Sequence, residues 1–223
     1  MIARALDALS PAQLRAALAQ QGHAHALSAE HAPNMRLAAV VVPLRLGPSP
    51  IAFAMVRAAA LADHPGEVAF PGGKHEAQDT DLRATAFREA LEEVGLGEEA
   101  LEEVGTLRPV PVITGRFRIH PFVAAVRAGH APRIASTEIA RLIEVPLAAF
   151  ITGEKRIGAI DATWRGVELR VPHFDLDGCV LYGASAYLFY ELLGKLAAHL
   201  GAELPPMVVQ PDAPWGERYR DLA

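Results

Sequence analysis

The sequence predicts an α+β fold in which a mixed β-sheet is sandwiched between helices. Strand-like runs and helices follow one another without the regular βα alternation of a doubly wound sheet. A helix from about Asp81 to Val94 carries Phe87, Ala90, Leu91 and Val94 at i, i+3, i+4 and i+7, so one of its faces is apolar. A second long helix, from Gly183 to Leu200, bears a stripe containing Leu188, Leu192 and Leu196. With helices on both sides, each face of the sheet finds an apolar partner.

The elements follow in chain order. Ser10-Pro11 reads as an N-cap and a first-turn proline opening a helix to about Ala19. A sparse stretch holding His23, His25 and His31 reads as solvated linker. LAAVVVPLRL after Arg36 is a strand, PSPIAFAMVRA a second after the Gly47-Pro48 break, and Glu67–Phe70 a short third. Gly95 is placed to end the Asp81–Val94 helix as its C′ residue. Strands are expected around Leu107–Val112 and Phe117–Val126. TEIARLIEVPLAAF suggests a short helix or turn entering a Pro-Leu strand, and Trp164–Phe174 a hairpin. A length of 223 residues suits one domain with extensions. We expect a helical N-terminal extension over 1–35, the domain over 36–204, and a C-terminal tail over 205–223 packed on or near it.

Composition bounds the function. A net charge of −5 leaves no electrostatic footprint for nucleic acid. No apolar run approaches bilayer length, so no membrane partner is expected. The single cysteine, Cys179, rules out an intrachain disulfide framework and suits a reducing compartment; a cytoplasmic protein is the expectation. Homodimerisation is left open.

The chemistry concentrates between Gly66 and Leu96. Glu89 and Glu93 lie one helical turn apart, with Glu92 adjacent, and like charges so placed destabilise an isolated helix by about 0.2–0.5 kcal/mol per pair. Arg88, four residues before Glu92, offsets part of this. Carboxylates are hard oxygen ligands suited to Mg²⁺ or Mn²⁺, ions that usually also engage substrate phosphates. The Pro71-Gly72-Gly73 turn lets backbone approach closely and can present a carbonyl as a further ligand. The competing reading is a solvated charged face.

This stretch resembles the Nudix box, the strand-loop-helix-loop element of hydrolases acting on nucleoside diphosphates linked to another group. REALEEVGL matches its second half at Arg88, Glu89, Ala90, Glu92, Glu93, Gly95 and Leu96. In the first half, the interval from Gly73 to Arg88 is one residue longer than usual, and Asp79, Thr80 and Asp81 stand where a midway glutamate is expected. A longer loop beginning PGGK resembles the coenzyme A pyrophosphatase branch. So does FAMVRAAALADHPGEVAFPGG, at Arg57, Leu61, His64, Gly66, Phe70, Pro71, Gly72 and Gly73. That branch commonly has Leu-Leu-Thr before its arginine and a basic residue after the leucine, where this chain has Ala54-Met55-Val56 and Ala62. Arg36 leading into AAVVVPL, TGRFRIHPFV from Thr114, TEIARLIEVPL and YGASA from Tyr182 are similar too.

The resemblance implies an α/β/α sandwich and metal-dependent hydrolysis of the diphosphate of coenzyme A or acyl-coenzyme A, giving 3′,5′-ADP and (acyl-)4′-phosphopantetheine. It implies Glu89 and Glu93 as ligands of Mg²⁺ or Mn²⁺, the Gly73 carbonyl as a third, and Glu92 on a second ion or a metal-bound water. Arg88 orients a glutamate. The general base is Glu138 or Glu92; for Glu138 the alternative is a helix-start carboxylate. Glu76 and Asp79 either supplement the metal shell or cap the loop. Arg57, His64 and Lys74 suit phosphates, Arg116 and Arg118 a 3′-phosphate, and Phe117 an adenine or the core. Two further readings stand beside this one. One is a related hydrolase of another nucleoside diphosphate derivative, such as ADP-ribose or a dinucleoside polyphosphate; the other is a non-catalytic nucleotide-binding module.

Overall fold

A computed structural model describes residues 2–20, 35–61, 64–112, 115–176 and 178–215. His23, His25, His31, Ala62 and Thr114 therefore lie outside the described residues. Two helices come first, α1 (Ile2–Asp7) and α2 (Pro11–Ala19). Ser10 and Gln13 cap α2 reciprocally, each side chain bonded to the other's backbone N–H. Then follow β1 (Arg36–Arg45), β2 (Ile51–Arg57), β3 (Val68–Ala69), β4 (Gly72–Lys74) and α3 (Leu82–Val94). Next are β5 (Leu101–Thr106), β6 (Val110–Pro111), β7 (Phe117–Val126), β8 (Ile139–Pro146) and α4 (Leu147–Ile151). The remainder is β9 (Gly158–Trp164), β10 (Val167–Asp175), β11 (Val180–Leu181), α5 (Gly183–His199) and β12 (Val208–Val209).

The first eight strands form one mixed sheet with the path β3-β2-β1-β7-β5; β4 pairs with β1, β6 with β7, and β8 with β2. Among the described residues, β1 and β7 are the one parallel pair within it. One face, with Ala39, Val41, Met55 and Ala124, packs against Ala86, Phe87, Ala90 and Val94 of α3. The opposite face, with Val40, Val42, Ala54 and Val123, joins a larger core shared with α1, α2, α4, α5 and a second sheet, β11-β10-β9-β12. The sandwich of helix, mixed sheet and helix is thus the predicted one. At the centre of the larger core Phe174 and Phe150 meet edge to face at 5.0 Å, and Phe174 and Phe189 at 4.9 Å. Such pairs add about 0.5–1.5 kcal/mol each beyond area burial.

Three local expectations are corrected. The strand expected over Leu107–Val112 is the short β6, and the longer strand of that region, β5, lies before it. Its LEEVGT sequence hides a strand because β5 is an edge, where Glu102 reaches Arg15 and Arg127, and Glu103 reaches Arg83. TEIARLIEVPLAAF opens on the expected turn, at Thr137 and Glu138, but the strand follows from Ile139 and a helix rather than a strand begins at the Pro-Leu pair. The β-branched Ile139, Ile143 and Val145 pair along β2, and Pro146 then starts α4, which buries Leu147, Phe150 and Ile151. Finally, Leu91 is 49% exposed although it belongs to the predicted apolar stripe. The helix is rolled so that Glu93, at 6% exposure, faces inward instead.

Gly158 lies opposite His173 in the β9–β10 ladder, and a Cβ there would come 2.1 Å from His173 Nε2. The imidazole is 1% exposed and also meets the Trp215 ring edge to face at 5.7 Å, so it has little room to yield. Gly158→Ala is therefore expected to destabilise the protein by about 1–3 kcal/mol. Urea denaturation would measure it, and an unchanged midpoint would refute the packing.

Candidate active site

The site is built where β4 meets α3. Asp81 caps the helix by accepting the Ala84 N–H at 2.7 Å, and Gly95, at φ +66°, ends it in the left-handed conformation. In β4, Gly73 pairs across to Ala39 of β1, which is on the α3 face. A Cβ on Gly73 would fall 2.2 Å from Glu89 Oε1, and one on Gly72 would fall 2.4 Å from the Ala39 carbonyl oxygen. Gly73 therefore lets backbone lie directly on the carboxylate face of the helix, and Gly72 lets it pass close over β1. The Gly72 N–H donates to Glu93 Oε2 at 2.9 Å.

Arg88 organises the outer half of this face. Its guanidinium grips Asp79 through Nε–Oδ1 at 2.8 Å and Nη2–Oδ2 at 3.1 Å. It also donates to Glu89 at 3.0 Å, to Glu92 at 3.2 Å and to the Lys74 carbonyl at 3.3 Å. Asp79 further accepts from the Glu76 N–H and the Thr85 hydroxyl, and its side chain is 3% exposed. The hydrogen bond from Arg88 holds the Asp79 carboxyl far below the usual carboxylate range. Of the two roles weighed for Asp79, the loop-anchoring one matches these contacts. It stands where the box glutamate is missing, and its carboxylate is given over to the arginine that orients Glu89 and Glu92.

Glu93 forms the inner half. Burial pushes its carboxyl up to about 7, opposed by the Gly72 N–H and Arg57 and aided by repulsion from Glu89 and Glu138. Burial likewise raises Glu89, against the pull of Arg88. Arg57 Nη1 lies 3.7 Å from Glu93 Oε1, and its Nη2 donates to Glu138 Oε2 at 3.3 Å. Glu138 begins no helix; it precedes β8, with its carbonyl accepting the Ala58 N–H at 2.7 Å. The segment before it is tied to the end of α3, Arg133 N–H to the Val94 carbonyl and Ala135 N–H to the Glu93 carbonyl. Residues far apart in sequence thereby bring a fifth carboxylate beside Glu93.

The other candidates lie further out. Lys74 projects from the sheet face opposite α3, where its Nζ is 5.9 Å from the Phe117 ring centroid. Arg36 covers the same ring at 4.4 Å, a contact that becomes visible only through the parallel pairing of Arg36 with Phe117. By strand alternation Arg118 and His120 lie on the α3 face with Phe122 and Ala124, and so on the other side from Phe117. Arg116 is exposed just before β7. His64 occupies a turn after β2 at φ +56° and bonds Glu67 at 2.9 Å.

Among the described residues, no three His, Cys, Asp or Glu side chains already converge as a metal cluster. Glu89 and Glu92 lean on Arg88, and Glu93 on the Gly72 N–H and Arg57. The donor set nevertheless fits a hard divalent cation. Glu89 and Glu93 offer carboxylate oxygens raised toward protonation by burial, and Gly73 brings backbone to the edge of Glu89.

The Arg88–Asp79 pair yields a pH-dependent prediction. Because the folded pKa of Asp79 is depressed, its ionised form stabilises the fold above an unfolded pKa of about 4, and that stabilisation fades as pH falls toward the folded value. Asp79→Asn should cost about 2 kcal/mol at pH 7. The gap to the wild type should narrow below about pH 4. Urea denaturation across this range would check it; a pH-independent gap would contradict the ionised pair.

The NUDIX domain family model matches residues 35–162. The uncharacterized Nudix hydrolase NudL of Klebsiella pneumoniae (strain 342) is 35% identical over 171 residues, covering 75% of this chain and 86% of that protein. NudL of Salmonella newport, likewise described as uncharacterized, is 36% identical over 160 residues, covering 71% and 82%. Among solved structures, a MutT/nudix family protein from Enterococcus faecalis has a TM-score of 0.47 at 15% identity, covering 75% of this chain and 68% of that one. The family match spans the whole of the site from β1 through the carboxylate helix to Glu138, and the chain belongs to the Nudix hydrolase family.

Proposed function

We propose that this Nudix hydrolase cleaves the diphosphate of coenzyme A or its acyl derivatives, releasing 3′,5′-ADP and (acyl-)4′-phosphopantetheine. The observation that carries this reading is the lengthened loop from Gly73 to Arg88. It resembles the loop of the coenzyme A branch, and its Asp79 is integrated into the site through Arg88.

Glu89, Glu93 and the Gly73 carbonyl would hold Mg²⁺ or Mn²⁺, with Glu92 serving a second ion or its water; bound there, the metal neutralises charge on the diphosphate. The protein groups divide the remaining work. Glu138 accepts a proton from the attacking water, with Glu92 as the alternative base. A new P–O bond forms as the bridging P–O bond breaks, and the leaving phosphate departs with the bridging oxygen. Arg88 keeps Glu89 and Glu92 oriented. His64 serves as a phosphate donor and Arg116 and Arg118 receive the 3′-phosphate; Lys74 and Phe117, which project from the sheet face opposite the carboxylates, are left out of the substrate site. The substrate is a small nucleotide derivative, taken up in a cytoplasmic setting.

Purified protein should be incubated with Mg²⁺ or Mn²⁺ and a panel of coenzyme A, its 3′-dephosphorylated form, acyl-coenzyme A, ADP-ribose and diadenosine polyphosphates. Coenzyme A should be cleaved at least about tenfold more efficiently than the 3′-dephosphorylated form, as expected for loss of a charged hydrogen bond. Equal efficiency, or preferred turnover of ADP-ribose, would sink the coenzyme A assignment. Glu93→Gln should lower kcat by about 10²-fold or more while circular dichroism stays unchanged; full activity would refute its role.

A further inference from the structure

Arg57 joins the two acidic groups on which hydrolysis would turn. Its Nη1 lies 3.7 Å from Glu93 Oε1 and its Nη2 3.3 Å from Glu138 Oε2. The Nε is buried with no hydrogen-bond partner among the described residues, so the pairing runs entirely through the two terminal nitrogens. The side chain is only 21% exposed, whereas Glu138 is 52% exposed. An exposed glutamate at the start of a strand has many rotamers, and this guanidinium selects one beside Glu93.

The backbone aims Arg57 there. The β2–β8 ladder runs in register from Ile51 opposite Pro146 to Val56 opposite Arg141, and then shifts so that Arg57 faces Ile139. Ala140 is left over as a bulge, an irregularity that bends a strand and redirects neighbouring side chains. Both partners are clamped at this point. The Arg57 N–H and carbonyl bond Glu67 and Gly66, and the next residue's N–H, that of Ala58, bonds the Glu138 carbonyl. Backbone and side chain of Glu138 are therefore both held by the Arg57–Ala58 pair.

We infer that Arg57 is a positioning residue, which acts on the reaction by fixing the Glu138 carboxylate at the Glu93 edge of the metal site rather than by binding substrate phosphate. The inference rests on Glu93 as a metal ligand and Glu138 as the base; it does not depend on coenzyme A being the substrate. A planar fork suits this task, since one end can meet each carboxylate while Nε remains enclosed.

Kinetics of Arg57→Met, Arg57→Lys, Glu138→Gln and the double variant Arg57→Met/Glu138→Gln test it, using whichever diphosphate the wild type turns over. Arg57→Met should lower kcat by about 10–100-fold, the usual cost of losing a group that orients a site residue. Its KM should stay within about threefold, because no substrate contact is lost. Arg57→Lys should recover part of the loss by keeping the charge without the fork. The double variant should be no more than about threefold slower than Glu138→Gln alone, since the two act as one unit. Mn²⁺ binding to substrate-free protein, followed by electron paramagnetic resonance, should differ from wild type by less than about threefold. A tenfold rise in KM with kcat intact would overturn the inference in favour of a substrate contact. Multiplying losses in the double variant, or a collapse of Mn²⁺ affinity, would overturn it too. If Arg57→Met fails to fold, Arg57→Lys carries the same comparison. A wild type inactive on every diphosphate tested would instead count against the hydrolase reading, a failure separate from these ratios.

Discussion

Backbone with no Cβ resting on one half-buried and one buried carboxylate is the constraint around which this molecule is arranged. Glu89 comes so close to Gly73 that any side chain there would collide with it, and Glu93 takes the Gly72 N–H. For this to happen α3 must lie tight on the sheet. The residues beneath it are correspondingly small or slim: Ala39, Val41 and Ala124 from the sheet meet Ala86 and Ala90 from the helix. The roll that brings Glu93 inward carries Leu91 outward, so an apolar side chain is given up to solvent for the placement of an acidic one. Full burial of a leucine is worth about 1.5–3 kcal/mol. The helix thus sacrifices stability at the site where function concentrates.

Such crowding of acid survives only with cations set among it. Arg88 lies on the outer side and Arg57 on the inner, and between them they touch Asp79, Glu89, Glu92, Glu93 and Glu138. Five carboxylates against two guanidiniums leave the cluster short of positive charge. Burial is the main cause of the raised Glu93 pKa, and repulsion from Glu89 and Glu138 adds to it. A divalent ion among these carboxylates would relieve the shortage of positive charge, which is in keeping with the metal dependence general in Nudix hydrolases. The two arginines are not equivalent. Arg88 is locked bidentately to a buried aspartate and belongs to the loop, whereas Arg57 spans two separate chain segments and connects them.

Local signals made much of this legible in the sequence. Asp81, the spacing of Phe87, Ala90 and Val94, and Gly95 specify α3 almost to the residue, because caps and helical periodicity act within a few positions. The clustering of Glu89, Glu92 and Glu93 beside a double glycine was enough to suggest a divalent cation and phosphate, and the box pattern extended that to a family. Strand β5 was hidden because its glutamates make sense only once Arg15, Arg83 and Arg127 arrive from elsewhere. The order of β8 and α4 is hidden for a similar reason, since pairing with β2 decides which half of TEIARLIEVPLAAF extends.

By itself the sequence determined the carboxylate-bearing helix, the family box it belongs to and the mixed α+β class, because each is written in contiguous residues. Only the tertiary structure decided which way that helix is rolled, that Asp79, in the zone where the box glutamate is missing, pairs with Arg88, and that Arg57 ties Glu93 to Glu138. Those outcomes depend on strand register and on a single skipped residue, Ala140, across a ladder whose two strands lie more than eighty positions apart. A one-residue shift there alters which side chains meet, and no local pattern records it.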